Sequence, residues 1–321
     1  GGELLTLMHA GEIIFQVDYD QDWHNENAQA GGVSLEMKDL NNPCGGSENW
    51  ASSRSSTGGT PGTINASTES IPDNFGPHLV SARAINTRTL ELVFDETLRD
   101  RTPDNLVLSF DPVNIVQTTT FGIDRRTLIV YLGVDLEVNV PVHLEVFGVT
   151  DCLGNSIQAG KITLVLPDEG AAGDLVFNEL LFNPRSEGVD FIELANISEK
   201  YIDLVGWQLG RVEDESIDFE VMEGHFVLGP GEFVAITTDS SVIKHQYPQG
   251  MKQLWQVNQL PPMSNAEGTV VLANPTGEIL DQFEYNEDFH LSFLESVDGV
   301  SLERIDPNTD TQNPNNWTSA S

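Results

Sequence analysis

The amino-acid sequence predicts an all-β protein built of tandem β-sandwiches, preceded by a partial sandwich of three strands. Most of the chain consists of short segments with alternating or β-branched residues, bounded by Asn, Asp, Gly or Pro, which is the pattern of strands and turns. Only residues 240–247 favour a helical turn, which has to end before Pro248. A stretch of about fifty residues near the beginning recurs near the end, which indicates duplicated structure.

The first region, residues 1–65, contains three candidate strands and a linker. Segments 4–8 and 12–19 flank a turn at residues 9–11, and residues 33–37 give the third strand. Residues 41–65 lose this periodicity and are rich in Gly, Ser and Asn, as loops are. Because three strands cannot cover their own apolar side, we expect this region to be incomplete by itself.

The second region, residues 75–166, predicts an immunoglobulin-like sandwich. Seven short strands follow one another at spacings of about 10 to 15 residues. In Leu90–Leu98 (LELVFDETL) and Gly148–Ile157 (GVTDCLGNSI) it resembles the bacterial Ig-like domains of surface and secreted proteins. The Cys-Trp-Cys pattern of antibody domains is absent from its sequence, so it does not resemble that type.

The third region, residues 174–321, predicts a further sandwich and contains a specific set of motifs. In chain order these are VFNE (176–179), DFIEL with Asn196 (190–196), IDLVGWQL (202–209), LGPGE (228–232), GE with Asp281 (277–281) and SLER with Trp317 (301–317). Together they resemble the lamin-tail domain, which implies an immunoglobulin-like β-sandwich. Bacterial members of that family occur in exported, multi-module proteins. The sequence has no coiled-coil heptads like those of nuclear lamins, so the resemblance does not imply filament formation.

The repeat relates the first region to the third. Gly32–Trp50 and Gly299–Trp317 both begin with GVSLE and end with Asn-Trp, and weaker matches extend upstream to Gly11 and Gly277. The first copy therefore resembles the C-terminal end of a lamin-tail domain, as expected if the chain starts inside a domain. We expect its strand edge and apolar face to be covered by the adjacent Ig-like domain or by a second molecule, that is, by self-association.

The composition argues against some functions. The 50 acidic and 15 basic residues give a formal charge of −35, which repels phosphates, so we expect no nucleic-acid binding. No apolar run approaches the roughly 20 residues of a membrane span, so we expect no membrane insertion. The acidity indicates either a solvated surface or one that takes up Ca²⁺. Cys44 and Cys152 form either one disulfide in an exported chain or two separate thiols.

Few residues form patterns typical of ligand binding. Asp306, Asn308 and Asp310 alternate like the first ligands of a calcium loop, but the later Gly and Glu are missing, so turn-forming hydrogen bonds compete with a weak Ca²⁺ site. Trp50 and Trp317 end the two repeat copies and either plug their sandwiches or form surface aromatic contacts with carbohydrate. The sequence contains no metal-binding histidine pair, nucleophile elbow or P-loop, and we identify no catalytic residue.

These features predict non-enzymatic structural, adhesion or display modules of an exported bacterial multi-domain protein that needs no cofactor. We expect the protein to be secreted or at the cell surface, with other protein modules or surface glycans as partners. The alternative is a carbohydrate-binding accessory module of a larger secreted enzyme.

Overall fold

The computed structural model describes residues 2–99, 106–157, 160–214, 216–249 and 253–320. The chain divides into two compact units, residues 1–166 and 167–321. The strands of both units confirm the all-β prediction, and the described residues contain a single α-helix. In the described part of the chain, no helix is both long and apolar enough to cross a membrane.

The first unit begins with two small antiparallel sheets. One is a hairpin of β1 and β2, and the other pairs β3 with β4. Their bounds are β1 Glu3–His9, β2 Glu12–Tyr19, β3 Leu35–Met37 and β4 Trp50–Ser52. The third strand is shorter than the sequence predicted, and β4 was not predicted because it follows a long polar loop with no strand-like alternation.

The rest of the first unit is a sandwich of two sheets with seven strands, the number predicted for residues 75–166. Their bounds are β5 Leu79–Asn86, β6 Thr89–Phe94, β7 Val107–Asp111, β8 Val116–Phe121, β9 Thr127–Leu132, β10 Val142–Phe147 and β11 Gly160–Leu164. One sheet has the order β5-β6-β9-β8 and the other β11-β10-β7. Alternate residues point between the sheets, so Leu90, Leu92 and Phe94 of β6 are all buried in the core.

The second unit is a larger sandwich. Its strands are β12 Leu175–Leu181, β13 Phe191–Asn196, β14 Ile202–Asp203, β15 Gln208–Glu213, β16 Ser216–Val221, β17 Val227–Leu228, β18 Phe233–Thr237, β19 Leu254–Gln256, β20 Glu267–Ala273, β21 Ile279–Asn286, β22 Leu302–Arg304 and β23 Trp317–Ser319. A six-stranded sheet, β19-β18-β13-β12-β22-β23, faces a four-stranded sheet, β16-β15-β20-β21, and β14 pairs with β17. The core between them includes Phe177, Trp207, Phe283 and Trp317.

Helix α1, Ser240–Gln246, lies on the outer face of the six-stranded sheet. It begins where the Asp239 carboxylate accepts hydrogen bonds from the backbone N–H groups of Ser241 and Val242. Ile243 packs with Leu181, Phe191 and Ala235 in a small second cluster. The predicted helical turn is therefore present, and it covers an apolar patch that the sheet would otherwise expose.

Candidate functional site

The sequence repeat is also a structural repeat. The β1–β2 hairpin corresponds to β20–β21, with a register shift at the same place, between Leu7 and Met8 in one copy and between Leu272 and Ala273 in the other. The β3–β4 pair corresponds to β22–β23. We call residues 3–52 the open copy and residues 267–319 the closed copy. Equivalent residues can therefore be compared one by one.

A buried asparagine holds the long polar loop in each copy. In the open copy, Asn49 Oδ1 accepts from the Asp39 N–H and Asn49 Nδ2 donates to the Asp39 carbonyl, both at 2.8 Å. In the closed copy, Asn316 does the same with Asp306, at 2.9 and 2.8 Å. Each amide thus satisfies both backbone groups of the residue that starts the loop. The Asn of the shared Asn-Trp ending was not singled out from the sequence.

A histidine–serine contact also recurs. His24 Nδ1 lies 3.0 Å from Ser52 Oγ, and His290 Nδ1 lies 2.9 Å from Ser319 Oγ. Each serine hydroxyl also accepts the backbone N–H of the residue after the histidine. Burial lowers the pKa of His290, so the neutral ring is favoured there. These histidines connect the turn after the hairpin to the last strand of each copy.

The Asp306 loop uses its own carboxylates to form turns. The Asp306 side chain accepts from the backbone N–H of Asn308 at 3.0 Å and from the Thr309 hydroxyl at 3.1 Å. Asp310 accepts from the backbone N–H of Gln312. These hydrogen bonds, led by the one from the Asn308 backbone, lower the pKa of Asp306. Asp306 and Asp310 thus each form an Asx turn, and the Asn308 side chain donates to Asp306. Ca²⁺ binding at this loop stays a prediction.

The two candidate tryptophans have different environments. Trp317 is buried, stacks on Phe283 with ring centroids 3.9 Å apart, and donates from Nε1 to the Thr311 carbonyl. Trp317 is therefore a core residue, and the surface contact with carbohydrate that was one option for it does not apply. Trp50 is half-buried, with its ring centroid 6.4 Å from that of Trp23. Of the two, only Trp50 keeps an accessible surface for a ligand.

An apolar pocket of about 250 Å³ lies beside Trp50 in the open copy. Its lining residues are Leu5, Val17, Tyr19, His24, Leu35 and Trp50. Their equivalents in the closed copy are Val270, Phe283, Tyr285, His290, Leu302 and Trp317, all of them buried. The pocket is thus the exposed counterpart of a sandwich core. The sequence predicted an apolar face here that the three strands cannot cover themselves, but it did not predict the pocket.

The two cysteines form a disulfide that ties the open copy to the Ig-like sandwich. Cys44 and Cys152 are bonded, with their Cα atoms 6.3 Å apart and 108 positions apart in sequence. Next to it, Asn155 Nδ2 donates to the Asp73 carbonyl. Of the two options left open by the sequence, the structure has the bonded pair. On the hairpin, Gln16 Nε2 donates to the Ile123 carbonyl of the sandwich.

An acidic cluster near this disulfide was missed from the sequence. Carboxylate oxygens of Asp73, Glu96 and Asp151 all lie within 4.8 Å of one another. Burial, followed by the charges of Asp73, Asp151 and Asp95, raises the pKa of Glu96 to about 8, against the opposing effect of Arg126. Glu96 is therefore mostly protonated at neutral pH. No sequence pattern joins these three residues, because folding alone brings them together.

One protein family model matches the chain: Lamin Tail Domain, over residues 168–287. No curated protein matches. Among solved structures, the chain is similar to the N-terminal part of the bacterial S-layer protein SbsC, with 11% identity over 65% of this chain and a TM-score of 0.27. It spans 43% of that S-layer chain. A DUF4876 family protein from Bacteroides thetaiotaomicron VPI-5482 matches with 12% identity over 75% of this chain and 91% of that one, with a TM-score of 0.30.

Proposed function

Residues 168–287 form a lamin tail domain, and from this premise we propose that the chain is a non-enzymatic structural and display segment of an exported protein. The observation that carries the proposal is the Cys44–Cys152 disulfide, which fastens the open copy to the Ig-like sandwich. A covalent link between successive modules limits their relative motion, as a rigid spacer requires. Disulfides persist in secreted and cell-surface compartments, which supports a location outside the cytoplasm.

The charge and the packed cores of the chain agree with a role in displaying contact surfaces to other molecules. The acidic excess favours solubility and disfavours nucleic acid as a partner. The Ig-like sandwich and the lamin tail domain each have a continuous apolar core, so they can act as stiff bodies that carry contact surfaces. We propose other protein modules as the partners in this role, and surface glycans as the partners of the carbohydrate-binding alternative. The role needs no cofactor.

One observation favours a second candidate function, carbohydrate binding. Trp23 and Trp50 are both half-buried and lie side by side next to an apolar pocket. Adjacent aromatic rings with an accessible face can stack on sugar rings. This arrangement suits an accessory module of a secreted enzyme.

A glycan array separates the two candidates. The structural role predicts no saturable glycan signal with the full chain. The matched variants are Trp50→Ala, which removes the accessible tryptophan, and Phe293→Ala, which removes an exposed aromatic ring in the other unit. A saturable signal that disappears in Trp50→Ala and persists in Phe293→Ala would support carbohydrate binding and contradict the spacer role.

A further inference from the structure

The hairpin of the open copy has an uncovered face and an uncovered edge. Leu5 and Leu7 of β1 are 52% and 59% exposed, whereas their equivalents Val270 and Leu272 are 1% and 0% exposed. Among the described residues, β1 and β2 form a two-stranded sheet of their own. The Ig-like domain therefore leaves Leu5 and Leu7 uncovered. Two-stranded sheets are marginally stable without further strands or a packed face.

The closed copy shows which strand covers the equivalent surface in the second unit. There, β15 pairs antiparallel with β20, from Gln208 opposite Ala273 to Arg211 opposite Val270. Leu209 of β15 is buried in the same core. By equivalence, the free edge of the open copy runs along residues 5–8 of β1. The second unit thus contains a template for a strand that pairs with this edge.

The charge around this edge selects among possible occupants. Residues 1–37 contain seven Asp or Glu and no Lys or Arg. A second copy of the same hairpin would bring like charge to the contact, which is unfavourable. A strand of the β15 type brings Arg211, which would lie opposite Leu5 and diagonal to Glu3 on the same strand. Charge complementarity therefore favours such a strand over a second hairpin.

We propose that the β1 edge and the apolar pocket beside it bind an extended polypeptide strand of lamin tail sequence, with alternating apolar residues and a basic residue, in the manner of β15. The strand adds to the sheet through backbone hydrogen bonds, and its apolar side chains fill the pocket lined by Leu5, Val17 and Trp50. This inference rests on the fold alone and is independent of the spacer role.

The test uses a synthetic peptide with the sequence of residues 205–212, VGWQLGRV, blocked at both ends, added to the full chain. Hydrogen exchange read by mass spectrometry is expected to show saturable protection of residues 3–9. Leu5→Lys, which places a charge in the pocket, is expected to weaken binding about tenfold or more. The matched variant Thr6→Lys lies on the same strand but points to the opposite face, so it is expected to bind as the parent does.

A peptide with Glu in place of the arginine controls for charge and is expected to bind more weakly than VGWQLGRV. The proposal is overturned if residues 3–9 gain no protection at millimolar peptide, or if both peptides or both variants behave alike. It is also overturned if residues 3–9 become protected as the protein concentration rises without peptide, together with a dimer in sedimentation. In that case the occupant is a second copy.

Discussion

The open copy and the closed copy contain the same turns and the same loop, but only the closed copy has strands over its apolar face. Gly11 and Gly277 adopt left-handed φ values of 86° and 85° in the two hairpin turns, and Asn49 and Asn316 hold the two loops in the same way. These features depend on residues close in sequence, so they form in both copies. Burial depends on distant strands, so it differs. The comparison separates local from non-local contributions to a single fold.

The largest predicted difference between the copies concerns the two tryptophans. Trp317→Ala is expected to destabilise the second unit by about 3–5 kcal/mol, because it leaves a cavity against Phe283 and removes the hydrogen bond to the Thr311 carbonyl. Trp50→Ala is expected to cost about 1 kcal/mol in the first unit, because its ring is already half-solvated. Denaturant unfolding of the full chain, with intrinsic fluorescence and hydrogen exchange to assign each transition, measures both. Equal losses in the two units would contradict the view that only one copy is closed.

The next largest effect is expected from the disulfide. It fastens the open copy to the Ig-like sandwich, whereas the closed copy is held by the core of its own sandwich. The double variant Cys44→Ser, Cys152→Ser is expected to destabilise the first unit by about 2–4 kcal/mol, because the bond closes a loop between residues 108 positions apart. Hydrogen exchange is expected to accelerate first in residues 35–52. The transition of the second unit is the internal control and should not move. A uniform loss of protection in both units would argue against a local anchor.

Much of the fold could be predicted from the sequence because short-range patterns determine most strands. The Ig-like sandwich has the predicted seven strands within residues 75–166. The ordered set of motifs from Val176 to Trp317 indicated the lamin tail family, which the family match over residues 168–287 confirms. Three strands were missed: β4, β19 and β23. Each has three residues and no alternation long enough to be recognised. They exist because neighbouring strands offer an edge, which no local pattern encodes.

The candidate site was predicted less completely, for the same reason. The sequence indicated an apolar face near residues 4–37 that this region cannot cover alone, to be covered by the Ig-like domain or by a second molecule. The Ig-like domain leaves Leu5 and Leu7 exposed, and cover by a second molecule stays a prediction. It did not indicate the acidic cluster, since Asp73, Glu96 and Asp151 come from three distant segments. Nor did it separate Trp50 from Trp317, which end identical motifs. Trp317 stacks on Phe283 inside a core that also contains residues of the distant strands β12, β13 and β15. In the open copy, the position of Phe283 is taken by the smaller Val17, and Trp50 stays half-buried.

A smaller, pH-dependent effect should distinguish the β3 strand of the open copy from β22 of the closed copy. Glu36 and Glu303 are equivalent. Glu36 accepts from the Thr60 hydroxyl, the Ser53 hydroxyl and the Ser67 N–H, and these bonds, led by the one from Thr60, lower its pKa. Glu303 instead lies opposite Glu179, whose pKa is raised to about 7, mainly by burial and further by Glu193 and Glu303, against the hydrogen bond from Ser301.

The two shifts give opposite pH dependences. Between the ordinary carboxyl pKa and about pH 7, Glu179 holds a proton in the folded state that the unfolded chain has lost, so the stability of the second unit falls as pH rises through that window. Glu36 stabilises the first unit above the ordinary pKa, and that stability is lost as pH falls. We expect Glu179→Gln to reduce the pH-dependent change in the stability of the second unit by about 1.5 kcal/mol. This is roughly half of what the whole pKa shift of Glu179 would give at about 1.4 kcal/mol per pKa unit, because neighbouring groups can rearrange. Denaturant unfolding at pH 5 and pH 8 measures the reduction. The comparison of opposite sign is Glu36→Gln in the first unit, measured at pH 3 and pH 5, because the Glu36 contribution is lost only below the ordinary carboxyl pKa. If Glu179→Gln left the pH dependence of the second unit unchanged, the neighbouring carboxylates Glu193, Glu179 and Glu303 on β13, β12 and β22 would not be its cause.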